Sequence, residues 1–131
     1  MANVIDWFKM LFAVLAGLFS WVYGGLDSLL MVLVICVVLD YITGISAAIY
    51  TKTLNSQVGF YGILKKLVIL LLVALGSLVG KIVGQDSIRD IVIGFYIANE
   101  GISILENAGR MDIPVCKGVV KFLEQLKDKA I

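Results

Sequence analysis

Apolar residues run through four stretches of the chain, residues 7–23, 28–50, 67–84 and 87–108, with short segments rich in Gly, Asn, Asp and Lys between them. A helix that is apolar all round has no side to offer water, so stretches of about 17–25 such residues predict membrane-spanning helices. Residues 28–50 are the clearest case, broken by a single carboxylate, Asp40. Residues 7–23 would make only about 25 Å of helix. Trp7, Trp21 and Tyr23 flank them, and these residue types favour the membrane interface. Three readings are open for this segment: a span, an in-plane helix, or a cleavable signal. Weak amphipathicity argues against the in-plane helix, and the lack of a small-x-small site before a polar start argues against the signal.

The fourth stretch differs in kind. Within FYIANEGISILEN, residues 95–107, the polar side chains Asn99, Glu100, Ser103, Glu106 and Asn107 fall in one arc at 100° per residue, while Gly94, Ala98 and Gly101 fall opposite. A small face lets helix backbones approach closely in lipid, and the polar face must look at protein or water. Nine strongly apolar residues between Ile88 and Leu105 contribute about −4 to −5 kcal/mol to insertion. One central carboxylate costs about 3 kcal/mol, and the asparagines and terminal charges consume most of the rest. This segment inserts only with partners, with Glu100 protonated, or with water along its face.

The intervening segments set the topology. Asp40 shares a helix face with Cys36, Gly44 and Ala47, an acid inside a small-residue groove that is either part of a pore or a bond to a neighbouring helix. Residues 51–66 read as a polar loop carrying Lys52, Lys65 and Lys66. Gly76, Gly80 and Gly84 stand four apart along the most apolar run and form a candidate helix-packing row. Ser87 and Asp90 have capping-box spacing at the start of the fourth stretch. Gly109 is expected to close that helix, and Pro114 to open an amphipathic tail over residues 113–131. In this tail Val115, Val119, Phe122, Leu123 and Leu126 lie opposite Lys117, Lys121, Glu124 and Asp128. Lys117 and Lys121 suit an anionic membrane surface, and the competing expectation is a helix packed on another subunit.

Composition supports the membrane reading: 60% of residues are hydrophobic and 16% charged, where soluble domains are about half apolar and a quarter charged. The fold class expected is an all-α integral membrane protein, a bundle of four or three spans plus the tail, in one domain over residues 1–131. With four spans, Lys9, the three loop lysines and the basic residues from Arg110 onward lie on one side, and only Lys81 and Arg89 on the other. The positive-inside rule then places both termini in the cytoplasm. A net charge of +1 gives no sign of nucleic acid, and the absence of histidine with two distant cysteines suggests no metal, cofactor or disulfide framework. Asp40 and Glu100 could in principle form an intramembrane acid pair, but they lie on different helices whose separation the sequence does not give, and no nucleophile and base pair is evident, so an enzyme is not expected.

DYITG at residues 40–44, LNS followed by GFYGILKK across residues 54–66, and above all FYIANEGISILEN together resemble the toxin-secretion and phage-lysis holins. The resemblance spans roughly residues 33–126, and Cys116 stands where that family's pattern leads one to expect a second proline. It implies a homo-oligomer of the bacterial cytoplasmic membrane that opens lesions for an endolysin or a toxin, with the bilayer as its medium and no required binding of the cargo. Asn99, Glu100, Ser103, Asn107 and Asp40 are then candidates for the polar lining, and Gly44, Gly76, Gly80, Gly84, Gly94, Ala98 and Gly101 for helix packing. Two other functions fit the residues: a small proton-coupled transporter or ion channel, and a membrane scaffold without a pore.

Overall fold

The computed structural model describes residue 1 and residues 3–130. Five helices follow one another: α1 (Val4–Val22), α2 (Ser28–Tyr50), α3 (Ser56–Val83), α4 (Ser87–Arg110) and α5 (Lys117–Ala130), with no strand among the described residues. α1, α2 and α3 are each long and apolar enough to cross a membrane. α4 has the length, at 24 residues, but is not one of these three. Arg89, Asp90, Asn99, Glu100, Glu106 and Asn107 interrupt it.

The helix ends follow from local chemistry. Asp27 caps α2 by accepting from the Leu30 N–H at 3.0 Å, and Asn55 caps α3 by accepting from Val58 at 2.9 Å. Thus the polar stretch 51–66 is a loop only as far as Asn55, and its remaining residues are the first three turns of α3. Its polarity reflects the side it presents: Gly59 and Gly62 lie beneath the ring of Tyr41, whose hydroxyl donates to the Gly59 carbonyl at 3.4 Å. α3 ends at Gly84, left-handed at φ 72°. The capping bond expected at Ser87 does not form; Asp86 precedes α4 in helical geometry without a side-chain cap. Past Gly109, α4 continues to Arg110, and Asp112 at φ 59° turns the chain while the Ile113 N–H bonds back to Ala108 at 3.0 Å.

α4 is the centre of the packing. It lies against α2 most extensively, then against α5 and α3, whereas α1 approaches α3 alone among the helices and has no buried residue. Leu30, Leu33, Val37, Val73 and Ile93 make the apolar core shared by α2, α3 and α4. Gly76 and Gly80 allow the close approach of α3 and α4. A Cβ on Gly76 would come within 2.8 Å of Val92, and one on Gly80 within 2.8 Å of the Gln85 carbonyl. Gly84 ends the helix instead of extending this contact, and nothing lies within 4 Å of a Cβ there.

α5 doubles back along α4 of its own chain. Leu123 packs on Gly101, where a Cβ would meet it at 3.0 Å, and the Lys127 Nζ stands 5.8 Å from the centroid of Phe95. Val120, Leu123, Lys127 and Ala130 are the partly buried positions, so the apolar strip of Val119, Phe122 and Leu126 stays exposed. The inner strip thus packs on α4 of its own chain.

Arg89 ties the start of α4 to the α1–α2 turn. Its guanidinium donates to both Asp27 carboxylate oxygens at 2.7 and 2.9 Å, to Asp90 at 3.0 Å, and to the carbonyls of Tyr23 and Gly25 at 2.7 and 3.2 Å. A planar fork against a carboxylate is the strongest geometry open to this pair. The Arg89 hydrogen bonds, aided by the Leu30 N–H, hold the Asp27 carboxyl at about 2, below its ordinary 3.8. An acid whose pKa is depressed by folding stabilises the fold above the ordinary carboxylate range and loses that contribution as pH falls toward the folded value. In Arg89→Met, Asp27 is expected to titrate well above its present value, moving toward the ordinary carboxylate range while the Leu30 N–H still holds it somewhat low, as read by carbon-labelled aspartate resonances in micelles. Titration persisting near 2 in that variant would show that the guanidinium is not the cause.

Candidate functional site

The polar residues of α2, α3 and α4 meet at one level of the bundle. Asp40 faces inward from α2 because Leu33, Val37 and Ala47 on the same helical side are buried in the core. Glu100 faces inward from α4 on the side of Ile93 and Asn107, and is only 2% exposed. Between them stands Lys66 of α3, whose ammonium donates to Asp40 Oδ2 and to Glu100 Oε2. One cation thus bridges two carboxylates contributed by three helices.

Asn107 completes the arrangement. Its amide donates to Asp40 Oδ1 at 3.0 Å, to the Thr43 hydroxyl at 3.1 Å and to the Asp40 carbonyl at 3.3 Å. Thr43 in turn donates to the Leu39 carbonyl at 2.9 Å. Gly44 lies beside this contact, with the Asn107 nitrogen 3.5 Å from where its Cβ would be, an ordinary contact distance. In a low-dielectric setting such a network is held by the completeness of its bonds, and removing one member leaves a buried charge exposed to nothing.

A cavity of about 350 Å³ opens beside the network, lined by Asp40, Asn99, Glu100, Ser103, Asn107 and Lys66, with Lys65 and Arg110 also on its wall. The five candidates for the polar lining, Asp40, Asn99, Glu100, Ser103 and Asn107, therefore border a single space. Asn99 and Ser103 are half-buried, whereas Glu106, the neighbouring acid of the same helix, is exposed. Of the small residues, Ala98 is fully buried, Gly101 receives Leu123 of α5, and nothing lies within 4 Å of a Cβ placed on Gly94. Lys117 and Lys121 are both exposed on α5.

Lys66 is the member that sequence reasoning missed, having been counted as a loop lysine. The signal was present: Lys66, Val73, Ser77 and Gly80 share one helical face, and the last three are buried in the structure. A lysine continuing a buried face calls for a carboxylate opposite, and Asp40 and Glu100 were the available ones.

Residues 17–128 match the bacteriophage holin family. Among individual proteins, the chain is 35% identical to an uncharacterized 14.9 kDa protein in the nagH 3′ region of Clostridium perfringens, over 98% of this chain and 99% of that one. It is 40% identical to an uncharacterized protein of Halalkalibacterium halodurans, over 88% of this chain and 90% of the relative. With an uncharacterized protein of Listeria monocytogenes it shares 48% identity across 76% of this chain and 71% of the other. No solved structure matches.

Proposed function

Because this chain belongs to the bacteriophage holin family, we propose that it accumulates in the bacterial cytoplasmic membrane as a multi-pass homo-oligomer and opens lesions that release an endolysin or a toxin. The observation that carries this reading is the bridging of Asp40 and Glu100 by Lys66 beside a polar-lined cavity. Residues 1–131 act as one unit, with α4 as the fourth span and both termini in the cytoplasm.

In the single bundle the ion network keeps the acids of α4 shielded. At high surface density neighbouring copies pack through small faces, Glu100 leaves Lys66, and Asn99, Glu100 and Ser103 turn toward water, with Asp40 supporting from α2. Hydration of a carboxylate recovers part of its desolvation cost in every subunit, so the change becomes favourable only when many copies can share one wet surface. α5 takes part in the same change. Its strip beside Phe95 and Gly101 carries Lys127, which has no place in lipid once α4 crosses the membrane. α5 then swings to the cytoplasmic surface, where Lys117 and Lys121 meet anionic headgroups and Val119, Phe122 and Leu126 enter the interface.

The experiment is inducible expression of the protein alone in bacteria, following membrane potential and the escape of solutes graded by size. A delayed, abrupt loss of potential with passage of large proteins is the expected result. Leakage confined to small ions would instead favour a proton-coupled transporter or channel, which the lysine-bridged acid pair beside a cavity also suits. No effect at confirmed membrane levels would leave a scaffold without a pore.

A further inference from the structure

Where α1 and α3 finish and α4 begins, a second cavity of about 440 Å³ is lined by Ser20, Trp21, Ser77, Lys81, Asp86 and Arg89, with Gly24, Asp27 and Asp90 beside them. Its charges are unequally matched. Arg89 is fully committed to Asp27, Asp90 and two backbone carbonyls. Lys81 is not: its Nζ is buried and has no hydrogen-bond partner among the described residues. Only the indole face of Trp21, with its centroid 4.3 Å away, attends the ammonium. A cation over an aromatic ring recovers part of its lost hydration, but three N–H donors remain without acceptors.

Asp86 is the opposite case. It is exposed, does not cap α4, and makes no ion pair among the described residues. One cavity therefore holds a buried cation that lacks an acceptor and, at its rim, a carboxylate that lacks a donor. Ser20 and the buried Ser77 add hydroxyls to the wall near the lysine.

We propose that this cavity binds the phosphoethanolamine headgroup of a phospholipid. The phosphate accepts from Lys81 and from the Ser20 and Ser77 hydroxyls, and the primary ammonium donates to Asp86. The volume lies within the usual range of small-ligand pockets, about 300–1,000 Å³. Trp21, an interface-preferring residue, marks this end of the bundle as the level of the headgroups. A purely anionic headgroup suits the cavity less, because Asp27, Asp86 and Asp90 all border it. A choline headgroup offers Asp86 no N–H. The site requires only that this end of the bundle meet the bilayer surface, and it stands whether or not the protein forms lesions.

The test uses the full chain with Trp7→Phe, which leaves Trp21 as the only tryptophan. The protein is placed in phosphatidylcholine vesicles in which a graded fraction of lipid is replaced by phosphatidylethanolamine, phosphatidylglycerol or phosphatidylcholine brominated close to the headgroup. Brominated phosphatidylethanolamine is expected to quench Trp21 at a several-fold lower mole fraction than the other two. Lys81→Met should raise the mole fraction of brominated phosphatidylethanolamine needed for half-quenching by about tenfold, the scale of a hydrogen bond to a charged group. Asp86→Asn, at an exposed position where the side chain makes no capping bond, should bring phosphatidylethanolamine down to the level of phosphatidylcholine. Equal quenching by all three lipids, strongest quenching by phosphatidylglycerol, or a preference that survives Asp86→Asn would each overturn the proposal.

Discussion

Lys66→Met is expected to lower the steady-state amount of folded protein in membranes more than any other single substitution in the bundle. The methionine fills much of the same volume, so the packing of α3 on Tyr41 changes little. What disappears is the one cation between Asp40 and Glu100, and the two acids, 7% and 2% exposed as residues, then face each other within the bundle. Removing one partner of a buried ion pair costs about 3–5 kcal/mol, a large share of the stability of a small domain. The measurement is the unfolding midpoint in mixed micelles, together with the membrane-bound level at fixed synthesis. The triple variant Asp40→Asn, Lys66→Met, Glu100→Gln should recover most of the loss, since no charge is then left unpaired. A single Lys66→Met variant as stable as the parent would show that the acids do not depend on the lysine.

The second large effect belongs to Glu100, and here two substitutions are expected to act in opposite directions. In Glu100→Gln the Lys66 ammonium keeps an oxygen acceptor but loses the attraction of a full charge. The closed bundle is weakened, while the face that turns to water stays polar. Loss of membrane potential should come earlier at equal expression. In Glu100→Leu the segment around it enters lipid more readily, by about 3 kcal/mol on the insertion scale, and loses the group whose hydration drives the change. Release of large solutes should fall by more than about tenfold, with the protein still present in the membrane; one such factor corresponds to only about 1.4 kcal/mol per event. Identical timing in both variants at matched levels would remove Glu100 from the mechanism.

The all-helical architecture could be read from the hydrophobic pattern because helices in lipid advertise themselves by length. Three helices long and apolar enough to span emerge where apolar runs predict them, and the unusual polarity of α4 is equally plain. The pattern failed where helix and polarity coincide. Residues 56–66 looked like a loop, yet only Asn55 at their boundary was a true stop signal, acting as the N-cap of α3. Pairings between distant residues were invisible for a different reason. Asp27 and Arg89 lie 62 positions apart, and each looks like an ordinary polar residue beside a helix end until the fold joins them. The packing of α5 on α4 was not legible because Lys127 interrupts the strip it uses. The Lys127 ammonium stands 5.8 Å from the Phe95 ring centroid, so a charged residue occupies a half-buried position against an aromatic face.

The ionic groups of this bundle also divide its interior. Asp27, Lys81 and Arg89 form one polar level, and Asp40, Lys66 and Glu100 the other. The helical distance between levels is about 20 Å from Asp27 to Asp40, about 22 Å from Lys66 to Lys81 and about 16 Å from Arg89 to Glu100. A bilayer's hydrocarbon layer is about 30 Å deep, so the dry interior between the levels is shorter than that layer, while exposed Ile42, Ile49, Phe60 and Ile63 carry the apolar outer surface past the level of Glu100. The same copy thus presents a long apolar surface outside and a short dry path inside. Water that reached the Asp40–Lys66–Glu100 level would have only that short interior left to cross.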